Sequence, residues 1–266
     1  MKKLFYYEED KINNKKHKVL NLFGVKLIRD IKSIGGKSNK VCIKTNNGQK
    51  FLSKNEIKKL NIIINVSGSD NIIELDESVL VNARHFKIYI RGNKNKIKIN
   101  HVDSIQGGID VSGNQHLIDI ENAGTLNISI VMGTTGYHEN CYLKIGKNVT
   151  CIGLSAFLYQ SNTSIEIGKD CLFADDTILQ SSDGHEILDY ETGELLNNKP
   201  YKIEIGNHVW IGRRASILKG AKIPSNSIIG YNSVVTGSFD EEHTVIAGIP
   251  AKIIKRGVDW NSNTVF

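Results

Sequence analysis

The side chain best suited to chemistry in this sequence is His185, in the run Asp183-Gly184-His185. An imidazole with an unperturbed pKa near about 6.5 can take a proton from a weak acid at neutral pH, which is the work of a general base. Asp183, Glu186 and Asp189 lie close enough in sequence to orient such a ring, and a backbone carbonyl would serve as well. Other candidates carry less. Cys42, Cys141, Cys151 and Cys171 lack close metal-ligand pairing, and no cysteine or serine stands in a recognisable nucleophile context. His85, His101, His116 and His138 are spread out without the close pair that a zinc site uses, so no metal is expected. His208 reads as solvent-facing.

Positioning such a group falls to a scaffold of strands. The chain has 266 residues, 24 glycines and only 3 prolines, a balance that suits many short strands and tight corners. Isoleucine suits the strands, and asparagine suits turns that visit positive φ. With 40% hydrophobic and 23% charged residues, global disorder is excluded. No apolar run approaches the roughly 20 residues of a membrane helix. Met1-Lys2-Lys3 resembles the start of a signal peptide, but Glu8, Glu9 and Asp10 fall where its apolar stretch belongs, so a cytoplasmic, reduced protein is expected. Charge is uneven. Residues 1–60 hold sixteen Lys and Arg against five Asp and Glu, a net +11, which leaves −5 for the rest of a chain whose total is +6. Such a segment suits an anionic polymer or a membrane surface, including peripheral contact with an inner membrane. Aromatic and basic residues do not alternate as in a nucleic-acid groove, so nucleic acid is not an expected partner.

The architecture follows from a repeat. Ile205, Ile211, Ile217, Ile223, Ile229 and Val235 recur every six residues. Compact side chains follow four residues after the first five: Val209, Ala215, Ala221, Ser227 and Ser233. On a helix a six-residue step turns about 240°, so these isoleucines would share no face. Short strands separated by regular bends bury all of them. The phrase also occurs at Ile145-Gly146 and Ile167-Gly168. A looser version runs through Val66-Ser67-Gly68, Ile90-Arg91-Gly92 and Val111-Ser112-Gly113. Stacked units are implied. The expected organisation is a basic segment over 1–61, an all-β parallel helix over 62–250 with a loop protruding at 184–202, and a tail over 251–266. Nine or ten coils are expected. Within the first segment, Gly24 to Lys32 and Ser53 to Leu60 read as short helices and Lys40 to Leu52 as a hairpin around Asn46-Asn47-Gly48, a small α/β unit.

The six-residue phrase resembles the hexapeptide-repeat acyltransferases. In family order come Asp183-Gly184-His185, Asn197-Asn198-Lys199-Pro200, Ile205-Gly206-Asn207-His208-Val209-Trp210-Ile211-Gly212 and Ala247-Gly248-Ile249-Pro250-Ala251-Lys252. This block looks like the sugar O-acetyltransferase branch, whose members acetylate capsular or other surface polysaccharides and sialic acids. The likeness is close over 145–260, architectural over 62–144 and absent over 1–60. It implies a left-handed β-helix, a homotrimer with active sites between subunits, acetyl-coenzyme A as donor and a glycan hydroxyl as acceptor. His185 is then the base, and Trp210 packs beside the acyl group. By motif position Trp210, Gly212, Arg213, Tyr231 and Thr236 line the donor groove, and Lys252 and Lys255 meet phosphate. Two departures stand out, since relatives usually have Ala or Gly at Tyr231 and many have lysine at Gly237. The asparagine that related enzymes carry on a preceding coil is replaced within Leu154-Ser155-Ala156-Phe157. An N-acetyltransferase of an amino sugar nucleotide, a serine-type O-acetyltransferase and a non-catalytic glycan-binding β-helix are the alternatives.

Overall fold

The computed structural model describes residues 5–12, 15–22, 25–28, 39–45, 48–50, 62–134 and 138–263. Its body is a parallel β-solenoid with three faces, each built by stacking the same part of successive coils. On one face the chain pairs Ile43, Leu75, Ile99, Ile120, Ile145, Ile167, Ile205 and Ile223 in register. A second face stacks Ala83, Ile105, Leu126, Cys151, Phe173, Ile211, Ile229 and Ile246. The third stacks Ile64, Ile88, Ile109, Ile130, Ala156, Leu179, Ile217 and Val235. All these side chains are buried except Ile64, which is partly covered, and they form one continuous core. The six-residue series from Ile205 to Val235 therefore points inward at every step.

Each face has eight levels among the described residues, not the nine or ten coils expected. The expectation assumed three six-residue segments per coil. Ile64 and Ile88 are instead 24 residues apart and Ile109 and Ile130 are 21 apart, and long strands such as Val102–Ser112 and Ala123–Met132 round a corner without breaking. A six-residue helix, α1 (Glu77–Asn82), also spans one early corner, capped by Asp76 accepting from the Ser78 amide at 2.9 Å.

The corners explain the polar composition. Entering the first face, Asp70, Lys94, Gln115, Asn140 and Asn162 hold φ between 56° and 62°. The residue after each turns inward, and these inward residues form a ladder. The Asn71 amide donates to Asn39 Oδ1 (2.9 Å), the Asn95 amide to Asn71 Oδ1 (3.0 Å), the His116 amide to Asn95 Oδ1 (2.9 Å) and the Cys141 amide to His116 Nδ1 (3.1 Å). Thr163 stands above Cys141, and Ser181 Oγ donates to Thr163 Oγ1 at 3.0 Å. Buried polar groups are tolerated here because each is paired with the coil below. At the neighbouring corner Gly68, Gly92 and Gly113 stack so closely that a Cβ at Gly92 (φ 140°) would run into the Gly113 carbonyl.

The outer row of the first face reads Glu74, Lys98, Asp119, Lys144, Glu166, Glu204 and Lys222. Charges mostly alternate there. Lys98 pairs with Asp119 at 3.4 Å, and Lys202 lies 3.0 Å from Glu166 and 3.4 Å from Glu204, bridging the two like charges.

In the first segment, Phe5–Ile12, Lys15–Leu22 and Val25–Ile28 form an antiparallel meander that joins the solenoid through Leu27 and Ile64. Val25–Ile28 is a strand where a helix was expected; it lies between Lys15–Leu22 and Ile62–Ser67, and its β-branched Val25 and Ile28 suit a sheet. Lys40–Thr45 and Gly48–Lys50 form the anticipated hairpin. The helix expected at Ser53 to Leu60 lies outside the described residues. At the other end Thr244–Gly248 and Ala251–Arg256 pair antiparallel across the cis Ile249-Pro250 bond, so the tail begins as a strand.

Burial holds the His116 imidazole below the ordinary histidine range, only partly offset by its contact with the Ser112 carbonyl; His138 and Glu139 are the charged groups facing it. Native His116 thus resists a proton that the unfolded chain accepts below pH about 6.5. Stability should fall as pH drops below that value, and His116→Asn, which restores the ladder residue, should flatten the fall. Urea midpoints for both proteins between pH 7 and 5 check this; parallel curves would contradict it.

Candidate active site

The coils keep register across one large interruption. Leu179 and Ile217 are paired although 38 residues separate them, and Ile167 and Ile205 likewise. The extra chain leaves after Thr177–Gln180 and returns at Lys202–Ile205. His185 lies at the base of this excursion, exposed. It borders a cleft of about 420 Å3 with Tyr159, Ser182, Asp183, Asn197 and Pro200.

Asn197 closes the excursion. Its Nδ2 donates to Asp183 Oδ2 (2.8 Å) and to the His185 carbonyl (2.7 Å), while its Oδ1 accepts from the Ile187 amide (2.9 Å). Lys219, on the next coil, donates to the same Asp183 oxygen and holds its ammonium 5.0 Å above the Tyr201 ring. Partial burial pushes the Asp183 carboxyl up, but the hydrogen bonds from Lys219 and Asn197 outweigh it and leave the group below the usual carboxylate range. Asp183 is therefore engaged with Lys219 and Asn197. Asp189 accepts from the Glu191 amide (3.0 Å) and the Thr192 amide (2.8 Å), building the turn at the tip of the loop. Among the described residues, no side chain hydrogen-bonds the His185 ring. The two aspartates considered as orienters thus shape the loop.

Trp210 sits elsewhere. It opens the two-residue strand Trp210–Ile211 on the second face, with Ile211 inside and Trp210 outside, 40% exposed. Its neighbour is Trp260, with ring centroids 6.3 Å apart. Trp260 stacks on His208 at 4.5 Å and 10°, donates Nε1–H to the His208 carbonyl (2.9 Å), and its own carbonyl lies 3.1 Å from His208 Nε2. Asp259 Oδ1 also lies 3.1 Å from that nitrogen. His208, expected to face solvent, is instead clasped by the tail, because its corner conformation (φ 54°) presents the ring to Trp260.

The other sequence-selected residues divide by face. Gly212 is buried at the next corner, where a Cβ would come within 2.7 Å of the Ile229 carbonyl. Arg213 meets Asp175 at 3.2 Å and Asp176 at 3.8 Å. Tyr231, 60% exposed, accepts from Arg214 at 3.2 Å. Thr236 shares a small 140 Å3 cavity with Gln180, Ser182, Asp183, Leu218 and Lys219, directly beside the His185 cleft. Lys252 and Lys255 stand exposed on Ala251–Arg256. Within one chain, then, Thr236 joins His185, whereas Trp210 and the two lysines lie on another face. Cys141, Cys151 and Cys171 are buried, and burial pushes their thiols up, Cys171 to about 12. Such thiols are poor nucleophiles.

Sequence reading missed Tyr159, Ser182, Lys219 and Trp260. Lys219 occupies a variable position of the repeat, and Trp260 follows the last motif. Asn197 was visible as part of a phrase, but its role depends on which loop ends meet.

Comparison with known proteins fixes the class. The family model described as bacterial transferase hexapeptide (six repeats) matches residues 202–237. A polysialic acid O-acetyltransferase of Neisseria meningitidis is 35% identical over 198 residues, spanning 73% of this chain and 86% of that one. The polysialic acid O-acetyltransferase of Escherichia coli O1:K1 / APEC is 36% identical over 116 residues, 44% of this chain and 37% of that one. The crystal structure of the polySia-specific acetyltransferase NeuO matches with a TM-score of 0.63 and 29% identity, over 76% of this chain and 90% of that one. The solenoid is thus a left-handed parallel β-helix of hexapeptide repeats, and the protein is an acyltransferase. The chain belongs to the hexapeptide-repeat O-acetyltransferases.

Trp260→Ala should remove the stacked pair and its hydrogen bond, lowering unfolding stability by about 1–2 kcal/mol. It should also alter the emission of Trp210, the only tryptophan left. An unchanged urea midpoint and spectrum would show that the tail does not clasp this corner in solution.

Proposed function

We propose that this protein transfers an acetyl group from acetyl-coenzyme A to a hydroxyl of a surface glycan, with His185 as general base. The observation that carries the reading is the placement of His185: exposed, at a cleft beside the solenoid, with its backbone fixed by Asn197 and its ring hydrogen-bonded by no side chain among the described residues. A sugar hydroxyl is a very weak acid, so its proton must leave as the carbonyl is attacked. The imidazole takes that proton while the sugar oxygen bonds to the acetyl carbon. The carbon–sulfur bond then breaks, and the imidazolium returns the proton to the departing thiolate. Catalysis proceeds in a ternary complex, and the buried cysteines take no part in it.

Donor contacts follow from the exposed surface. Trp210 offers an apolar wall to the acyl arm, Gly212 and Thr236 leave room along it, and Tyr231 offers a ring. Lys252 and Lys255, which have no ion-pair partner among the described residues, suit phosphate. Arg213 is already shared with Asp175 and Asp176 and would have to exchange partners to join them. His185 and Trp210 occupy different faces of one chain, so a homotrimer whose seams unite them completes the proposal. The outward row Tyr89, Asp110, Val131, Phe157, Gln180 and Leu218, apolar or aromatic at four of its six positions, supports such a contact face. So do Ile187, Leu188 and Leu196, about half exposed on the excursion. The acceptor we favour is an anionic glycan such as a sialic acid polymer, in keeping with the named relatives. Residues 1–60, at net +11, are proposed to hold it or a membrane surface from the cytoplasmic side.

The decisive assay follows thiol release from acetyl-coenzyme A with polysialic acid and a panel of neutral and acidic glycans. His185→Ala should lower kcat by at least about 10²-fold with an unchanged melting temperature; retained turnover would remove the base. Trp210→Ala should weaken acetyl-coenzyme A in a binding titration, and an unchanged titration would reassign that tryptophan to structure.

A further inference from the structure

The excursion that carries His185 is long, exposed and rich in polar residues, yet its base is tied to the solenoid through very few groups. Asn197 Nδ2 spans the two ends of the loop, reaching the Asp183 carboxylate and the His185 carbonyl at once. Asp183 is in turn gripped by Lys219, which belongs to the corner after Ser216–Leu218 on the following coil. The Lys219 ammonium also lies over Tyr201, the residue from which the chain re-enters the stack at Lys202. One cation therefore touches both the exit and the return of the loop. The remaining internal bonds, such as Leu196 to Ile187 (2.8 Å) and Asp189 to Glu194 (2.8 Å), hold the arm together but do not fix it to the prism.

We propose that Lys219 is a positioning residue for His185, acting through Asp183 and Asn197; this rests on His185 being the base. Lys219 and Asp183 are both largely covered, with 28% and 26% of their side chains exposed, so the pair is less screened than a surface ion pair. Without the ammonium, Asp183 loses its strongest partner and Asn197 loses the anchored acceptor that sets its orientation. The His185 carbonyl is then held by an amide group whose remaining side-chain bonds, to Asp183 and the Ile187 amide, lie within the excursion itself. Small misplacements of a catalytic group cost rate steeply, on the order of 10²-fold for about 1 Å. Lys219 does not need to touch substrate for this.

Two arms test the proposal on the full chain. In hydrogen exchange, Lys219→Met should speed the amides of residues 183–197 while leaving the solenoid strands protected, and Lys219→Arg should restore protection. In kinetics with polysialic acid and acetyl-coenzyme A, Lys219→Met should lower kcat about 10- to 100-fold with the acetyl-coenzyme A KM unchanged, and Lys219→Arg should recover most of it. In a His185→Ala background, Lys219→Met should have no further effect, since both act through one group. Unchanged exchange in Lys219→Met would overturn the staple, and so would a loss that adds to that of His185→Ala. Full activity in His185→Ala alone would instead sink the base assignment, leaving the exchange result to judge the staple.

Discussion

Register between coils is the constraint on which this molecule depends. An aliphatic side chain on one level sits directly above its counterpart on the next, from Ile43 to Ile223 on the first face and equally on the other two. No single contact in such a stack is large. The gain lies in repeating a buried, close-packed layer, each inner strand being hydrogen-bonded above and below. A slip of one residue would turn the whole apolar row outward. Corners must therefore be as regular as faces, which accounts for left-handed residues recurring at fixed places and for the inward ladder from Asn39 to Thr163.

That regularity accommodates a long excursion. A parallel stack can absorb extra chain only at a corner, and only if the chain comes back in register. Here Leu179 and Ile217 are 38 positions apart, and the pairing is kept. The polar ladder ends at Ser181, one residue before the buried Ser182 hydroxyl and two before Asp183. Structure built for stability thus leads directly to the loop that carries His185, the base we propose. Faces differ accordingly: the first is dressed with alternating charge and suits water, whereas the third carries apolar residues outward and lies beside the cleft.

Much of this was legible beforehand. The six-residue period from Ile205 to Val235 identified the inward positions correctly because it reflects a one-to-one map from sequence to level. Where coils lengthen, as between Ile130 and Ala156, the map stretches and the number of levels was overcounted. Asparagine was read only as a turn former. Asn140 and Asn162 do take positive φ, but Asn71 and Asn95 serve the ladder, a role that depends on the coil below. His185, the base we propose, was visible because it stands where the repeat is interrupted. Its supporting partners were not: Lys219 is 36 residues from Asp183, and Trp260 is 52 from His208. Contacts across levels leave no mark in a single repeat unit.

The central claim is that His185 and the donor thioester meet in one channel, formed where copies of this chain join. An experimental structure of the assembled protein with coenzyme A bound tests it most directly. The account predicts the coenzyme sulfur within a few ångströms of the His185 ring of one copy, with Trp210 of a neighbouring copy along the arm. A sulfur seated away from every His185, or that ring turned out of any channel holding the donor, would contradict it.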